Sequence, residues 1–77
     1  MKARKIIMKN EDGTVLYVRF ELPKDASLQP FAELENLLKS KGLLKESKVE
    51  RGRFTKYWLI FNPGYIFING EFYKKNY

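Results

Sequence analysis

The chain contains no cysteine and no histidine. Without cysteine there are no disulfides and no thiol redox chemistry, which is typical of reducing compartments, so we expect a cytoplasmic location. The lack of both residues also excludes the usual zinc sites and every nucleophile that depends on a histidine base. Only carboxylate, lysine, arginine and tyrosine side chains are left for catalysis. We therefore expect no metal and no cofactor.

Long apolar runs are also missing. The triplet Ile6-Ile7-Met8 is too short for the apolar segment of a signal peptide. No stretch approaches the roughly 20 apolar residues of a membrane-spanning helix, so we expect no membrane partner. No repeat, linker or low-complexity tract divides the chain. Its 77 residues predict a single domain over 1–77.

Aromatic residues, in contrast, are abundant near the end of the chain. Eight of the twelve lie between Phe54 and Tyr73. Aromatic and β-branched side chains favour pleated, half-buried strands, so the run Phe54–Phe61 predicts a long strand. After a connection at Pro63-Gly64, the dipeptide Asn69-Gly70 between two apolar runs predicts a hairpin.

The predicted hairpin has a definite register. It sets Phe67 opposite Phe72, and Ile66 opposite Tyr73. Two further strands are predicted at the start of the chain, over 2–9 and 14–22, joined by a turn at 10–13. The second of these strands alternates, and its apolar set is expected to face a helix; the set consists of Leu16, Val18, Phe20 and Leu22.

The helix follows this strand. Ser27 is the predicted N-cap because it places Pro30 in the first turn, where a missing N–H costs nothing. Glu35 and Lys39 have the spacing of a favourable ion pair on one helix face. Gly42 is the predicted stop. The apolar stripe at helical spacing consists of Phe31, Leu34, Leu37 and Leu38.

The predicted fold is α+β with two layers, one helix packed on an antiparallel sheet in the order β-β-α-(β)-β-β-β. The bracketed element is the polar segment Lys45–Arg53, which is either a loop or a short edge strand. One helix covers one face only, yet both alternating sets of Phe54–Phe61 are apolar. This excess of apolar surface has three explanations. The second face of the sheet is closed by sheet curvature, or it is covered by another protein or a second copy of the chain. Alternatively, it is left open as a platform on which bases stack.

The charge favours an anionic partner. The net charge is +6, and seven basic residues stand against two acidic ones between Lys39 and Lys56. We therefore expect a non-enzymatic module that engages nucleic acid or a nucleoprotein through a basic, aromatic sheet face or edge. The candidate binding residues are Tyr17, Arg19, Lys48, Arg51, Arg53, Lys56, Trp58 and Tyr73. An equally simple interpretation of the charged segment is a solvated edge strand protected against aggregation.

Two other functions stay open. One is an inhibitor or adaptor that binds an acidic protein surface, for example on a host nuclease or an RNA-guided defence complex; the size and the Lys/Asn/Tyr-rich composition resemble those of short orphan proteins of phages and mobile elements. The other is a metal-free Lys/Arg/Tyr ribonuclease resembling the small RelE-type bacterial toxins, although the chain lacks the two-helix start expected of that group. The carboxylates show no catalytic pairing, so no catalytic residue is predicted.

Overall fold

The structure is a computed structural model that describes residues 4–75. Within them, one helix and six strands follow the predicted order, and the α+β class is confirmed. The predicted start of the first strand at Lys2 lies outside the described residues. The elements are β1 (Arg4–Lys9), β2 (Val15–Leu22), α1 (Gln29–Ser40), β3 (Leu44–Arg51), β4 (Thr55–Phe61), β5 (Tyr65–Ile68) and β6 (Glu71–Lys74).

Four strands form one antiparallel sheet in the order β1-β2-β4-β3. Strands β2 and β4 are central, and α1 connects β2 to the edge strand β3. The segment Lys45–Arg53 therefore belongs mostly to an edge strand, which spans eight residues and is longer than expected. Because β1 and β3 are both edge strands of the sheet, neither folds over its second face.

The start of β2 runs against the prediction. Leu16 is 44% exposed, whereas its neighbour Val15 is 1% exposed. Tyr17 pairs with Met8 but Val15 pairs with Lys9, so Leu16 is an extra residue opposite the β1 ladder. Such a bulge reverses the alternation of side chains on the strand. The predicted inward orientation is therefore wrong for Leu16, although the rest of the set faces the helix.

Helix α1 begins one residue later than predicted. Leu28 is the N-cap, and no side chain caps the first turn. The predicted cap, Ser27, instead accepts a hydrogen bond from the backbone N–H of Gln29 at 3.3 Å, before the helix starts. Pro30 does lie in the first turn, as predicted.

The helix ends as predicted. Gly42 has φ +73° and donates its N–H to the carbonyl of Lys39 at 2.9 Å. The N–H of Leu43 donates to the carbonyl of Leu38 at 3.1 Å. These two bonds form a Schellman stop, which satisfies carbonyl groups that the last turn leaves free.

The last two strands do not extend the main sheet. They form a separate two-stranded sheet, with Phe67 opposite Phe72 and Ile66 opposite Tyr73, as predicted. The ring of Phe72 stacks on that of Phe61 in β4, with centroids 4.8 Å apart. The β5–β6 hairpin therefore lies on the main sheet as a second cover.

Helix and hairpin lie on the same side of the main sheet, which we call the core face. The residues of β4 on this face are at most 4% exposed; they are Thr55, Tyr57, Leu59 and Phe61. From the helix, the ring of Phe31 contacts that of Phe20 in β2, with centroids 4.7 Å apart. Of the two alternating sets of β4, the one containing Tyr57 therefore packs against the helix and the hairpin, and the one containing Trp58 points away from both.

Candidate functional site: the open face of the sheet

The opposite side of the main sheet carries neither the helix nor the hairpin, and we call it the open face. Residues that pair across antiparallel strands point to the same side, so the register defines its members. They form three rows across the four strands: Arg4, Glu21, Lys56 and Glu50; Ile6, Arg19, Trp58 and Lys48; and Met8, Tyr17, Ile60 and Glu46.

Trp58 lies at the centre of the open face, in a central strand and in the middle row. Cations from both neighbouring strands contact its ring. The Nζ atom of Lys48 is 4.8 Å from the ring centroid, and the guanidinium carbon of Arg19 is 5.8 Å away. Both distances are within the roughly 6 Å at which a cation is attracted by an aromatic face. The ring is half-buried between them.

Arg19 is held more firmly than Lys48. Its guanidinium lies 3.3 Å from one carboxylate oxygen of Glu21, and the other oxygen of Glu21 lies 4.0 Å from the guanidinium of Arg4. The Nε atom of Arg19 is buried and has no hydrogen-bond partner among the described residues. An unpartnered buried donor is uncommon. Lys48, in contrast, is exposed.

The charge of the open face is close to balanced. Four basic residues stand against three acidic ones, which leaves a difference of one positive charge. The apolar members are Ile6, Met8 and Ile60, and Met8 is 41% exposed. The face therefore combines aromatic, cationic, carboxylate and apolar groups.

Five of the eight predicted binding residues come together on the open face: Tyr17, Arg19, Lys48, Lys56 and Trp58. The other three lie elsewhere. Arg51 pairs with Thr55, and so points to the core-face side at the end of the edge strand. Arg53 lies in the turn that joins β3 to β4, and Tyr73 lies in the β5–β6 hairpin. There the hydroxyl of Tyr73 donates to the carboxylate of Glu71 at 2.9 Å.

A polar cluster on the core face was not predicted from the sequence. The carboxylate of Glu35 in α1 receives hydrogen bonds from Tyr57 in β4 and from Ser47 in β3, the second at 2.8 Å. It also forms an ion pair of 2.7 Å with Lys39, which the helical spacing did predict. The two strand partners had no signal in the sequence, because they lie 12 and 22 residues away from Glu35.

The cluster has shifted proton affinities. The hydrogen bonds from Lys39 and Tyr57 lower the pKa of the Glu35 carboxyl from 4.5 to about 2. Burial, together with the bond to Glu35, raises the pKa of the Tyr57 hydroxyl from 10.0 to about 12. Both groups are therefore locked in their ordinary forms at neutral pH. The hydrogen bonds of the cluster join helix α1 to strands β3 and β4.

The described residues hold no group of three or more carboxylates placed to bind a metal ion. Within residues 4–75, no helix is both long and apolar enough to cross a membrane. Comparison of the chain with protein-family models, curated proteins and solved structures finds no match. The geometry of the open face is thus the basis for the functional proposal.

Proposed function

We propose that the protein is a non-enzymatic binding module that engages single-stranded nucleic acid through the open face of its sheet. One observation carries the proposal: on the sheet face that neither the helix nor the hairpin covers, a central aromatic side chain is flanked by cations on both neighbouring strands. Sheet faces with interleaved aromatic and basic side chains are used to bind single strands, because bases stack on the rings and phosphates pair with the cations.

Each group on the open face has a role in this proposal. Trp58 and Tyr17 lie on adjacent strands and in adjacent rows, so two successive bases can stack on them. Each such stack is worth about 1–3 kcal/mol. Arg19 is already oriented by Glu21 and is ready to meet a phosphate. The exposed Lys48 can leave the Trp58 ring for a phosphate, at a cost of about 0.5–1 kcal/mol.

The basic surface extends beyond the open face at one end of the sheet. Lys56 lies in the row nearest the β3–β4 turn, which carries Arg53. Arg51 precedes the same turn and is exposed. A bound nucleic-acid strand whose bases stack over the centre of the open face would extend its phosphates toward this turn. The turn therefore adds affinity without adding sequence preference, as phosphate contacts do.

The test is a fluorescence-anisotropy titration of labelled single- and double-stranded oligonucleotides at about 50 and 200 mM salt. We expect the single strand to bind more tightly, and its affinity to fall by an order of magnitude or more at the higher salt. Trp58→Ala should weaken binding about tenfold or more. Tyr73→Ala is the matched control, because this exposed ring lies off the face. No binding at low salt, or equal losses in both variants, would contradict the proposal.

The arginine pair of the β3–β4 turn is tested in the same titration. Arg51→Ala/Arg53→Ala should weaken single- and double-stranded oligonucleotides alike and flatten the salt dependence. Lys9→Ala/Lys45→Ala removes the same charge at the opposite end of the sheet and is expected to have a smaller effect. If the two double variants behave identically, net charge alone governs binding and the turn has no specific part in it.

A second candidate function is an inhibitor or adaptor that binds an acidic protein surface. It is favoured by the apolar residues that accompany Trp58 and Arg19 on the open face, namely Ile6, Met8 and Ile60. Large apolar, tryptophan- and arginine-containing patches are typical of protein interfaces. Capture of a partner from nuclease-treated lysate, lost in Trp58→Ala, would support this function. A dimer through the open face is tested by light scattering, with a monomer at high concentration as the contrary outcome.

A further inference from the structure

A groove lies on the core face, at a distance from the open face. It runs between helix α1 and the β5–β6 hairpin, above strands β1, β2 and β4, and has a volume of about 850 Å³. Ligand pockets in proteins commonly measure about 300–1,000 Å³, so the groove is large for a chain of this size. Residues of both covers on the core face line it.

The interior of the groove is apolar. Its floor is formed by buried residues of the two central strands, including Val18 and Leu59. Four aromatic rings line it and are only half-buried: Phe20, Tyr65, Phe67 and Phe72. Leu37, a member of the predicted apolar stripe of α1, also lines it and is 52% exposed. Without an occupant, this apolar surface remains in contact with water.

The polar lining of the groove is sparse and mostly basic. Lys5 of β1 and Lys41 at the end of α1 line it and are exposed. Within residues 4–75 neither lysine has an ion-pair partner. The third charged group is Glu71 of β6, whose carboxylate accepts a hydrogen bond from Tyr73. The groove therefore carries a positive charge on two of its borders and a negative charge on the third.

We propose that this groove binds one amphipathic anion, a carboxylate with a hydrocarbon tail of roughly eight to twelve carbons. The tail lies on the apolar floor between helix and hairpin, and the carboxylate lies at the border that carries Lys41. The composition of the lining favours this occupant: a hydrocarbon tail matches the apolar floor, and two of the three charged lining residues are lysines. A cationic amphiphile would have Glu71 alone as its partner.

The primary experiment is isothermal titration calorimetry of the full chain with decanoate below its aggregation concentration. Octanoate and decyltrimethylammonium are titrated for comparison. Each buried methylene contributes about fourfold in affinity, so decanoate, with two more methylenes, should bind about fifteenfold more tightly than octanoate. We expect the cation to bind at least tenfold more weakly than decanoate. Absence of decanoate binding, or equal affinity of the anion and the cation, would overturn the proposal.

Variants locate the site. Leu37→Glu places a carboxylate at the exposed lining and should weaken decanoate binding tenfold or more. Val49→Glu is the matched control, because Val49 is also an exposed apolar residue, at 45%, but does not line the groove. Lys41→Gln should weaken decanoate about two- to fivefold, and Lys45→Gln should leave it unchanged. Circular dichroism of each variant verifies folding. Equal effects of Leu37→Glu and Val49→Glu would place the ligand elsewhere and overturn the proposal.

Two further measurements separate the alternatives. Glu71→Gln should tighten decanoate binding severalfold, because it removes the negative border of the groove. Light scattering during the titration tests whether a second copy of the chain fills the groove. A dimer that decanoate does not dissociate, and that Leu37→Glu does, would assign the groove to self-association and overturn the proposal. Leu37→Glu should affect oligonucleotide binding no more than the charge-matched Val49→Glu, so the groove and the open face are tested independently.

Discussion

The hydroxyl of Tyr57 donates a hydrogen bond to the carboxylate of Glu35, and this bond joins the middle of the central strand β4 to helix α1. It is one of three charge-assisted contacts that converge on the same carboxylate. Tyr57 is only 4% exposed. A buried phenol without an acceptor would have a large cost, so helix position and strand orientation are fixed by the same bond.

We predict that Glu35→Gln lowers the free energy of unfolding by about 1–3 kcal/mol. The amide keeps the shape of the side chain but loses the charge that strengthens the bonds from Lys39, Tyr57 and Ser47. Urea unfolding followed by circular dichroism measures this as a lower midpoint with an unchanged slope. Glu33→Gln is the control on the same helix, because Glu33 is exposed and should change stability by less than about 0.5 kcal/mol. Equal effects of the two substitutions would refute the structural role of Glu35.

The same pair predicts a stability plateau bounded at both ends. The pKa of Glu35 falls from 4.5 to about 2 on folding, so its contribution is present above pH 4.5 and is lost as the pH falls toward 2. The pKa of Tyr57 rises from 10.0 to about 12, so its contribution is present below pH 10 and is lost as the pH rises toward 12.

Urea midpoints measured from pH 2 to 12 check this plateau. Glu35→Gln should flatten the acid limb, and Tyr57→Phe should flatten the alkaline limb. An acid limb that keeps its full height in Glu35→Gln would assign the acid sensitivity to other carboxylates.

The local signals in the sequence were sufficient for the helix and for the last hairpin. Gly42 marked the helix stop, and Asn69-Gly70 takes positive φ at both residues, at 51° and 83°, as a tight hairpin requires. The register of that hairpin followed from its turn. The helix and the hairpin are specified by residues within a few positions of each other, and therefore the sequence alone predicts them.

The tertiary packing of the strands could not be predicted from local signals in this way. Both alternating sets of β4 are apolar, so composition does not tell which set faces the helix. Contacts do: Tyr57 reaches a helix residue 22 positions away, and the β5–β6 hairpin folds back to place Phe72 on Phe61. The same return of the chain removes Tyr73 from the open face, although its residue type matched the other candidates. Only the interstrand register groups the five residues that share this face.

The bulge at the start of β2 yields a prediction on neighbouring residues. Val15→Ala should destabilise the fold by about 1–3 kcal/mol, because Val15 is buried and its loss leaves a cavity. Leu16→Ala removes a larger side chain but should cost less than about 1 kcal/mol, because Leu16 is half exposed to water. Urea midpoints of the two variants test this order. Regular alternation without a bulge would predict the reverse order, so the comparison tests the register directly.

The helix stop gives a prediction with a matched control. Gly42→Ala should destabilise the fold by about 1 kcal/mol, because an L side chain is strained at φ +73°. Nothing lies within 4 Å of the added Cβ, so the strain is purely in the backbone. Gly52→Ala also meets open space, and this glycine has no positive φ; it should be neutral or slightly stabilising. Thermal melts of the two variants make the comparison. If both are neutral, the stop does not depend on the left-handed conformation.

The carboxylates of the open face separate the two candidate functions. Glu46 and Glu50 are exposed, lie on this face, and form no ion pair within residues 4–75. Glu46→Gln/Glu50→Gln should therefore tighten oligonucleotide binding about two- to threefold per charge, because each carboxylate repels a phosphate a few ångströms away. Glu11→Gln/Glu33→Gln changes the net charge equally but lies off the face, and should have a smaller effect. Anisotropy titrations at low salt measure both. If the open face binds nucleic acid, Glu46 and Glu50 must oppose that binding. If Glu46→Gln/Glu50→Gln leaves oligonucleotide binding unchanged but abolishes capture of a protein partner, the open face binds a protein surface of mixed charge.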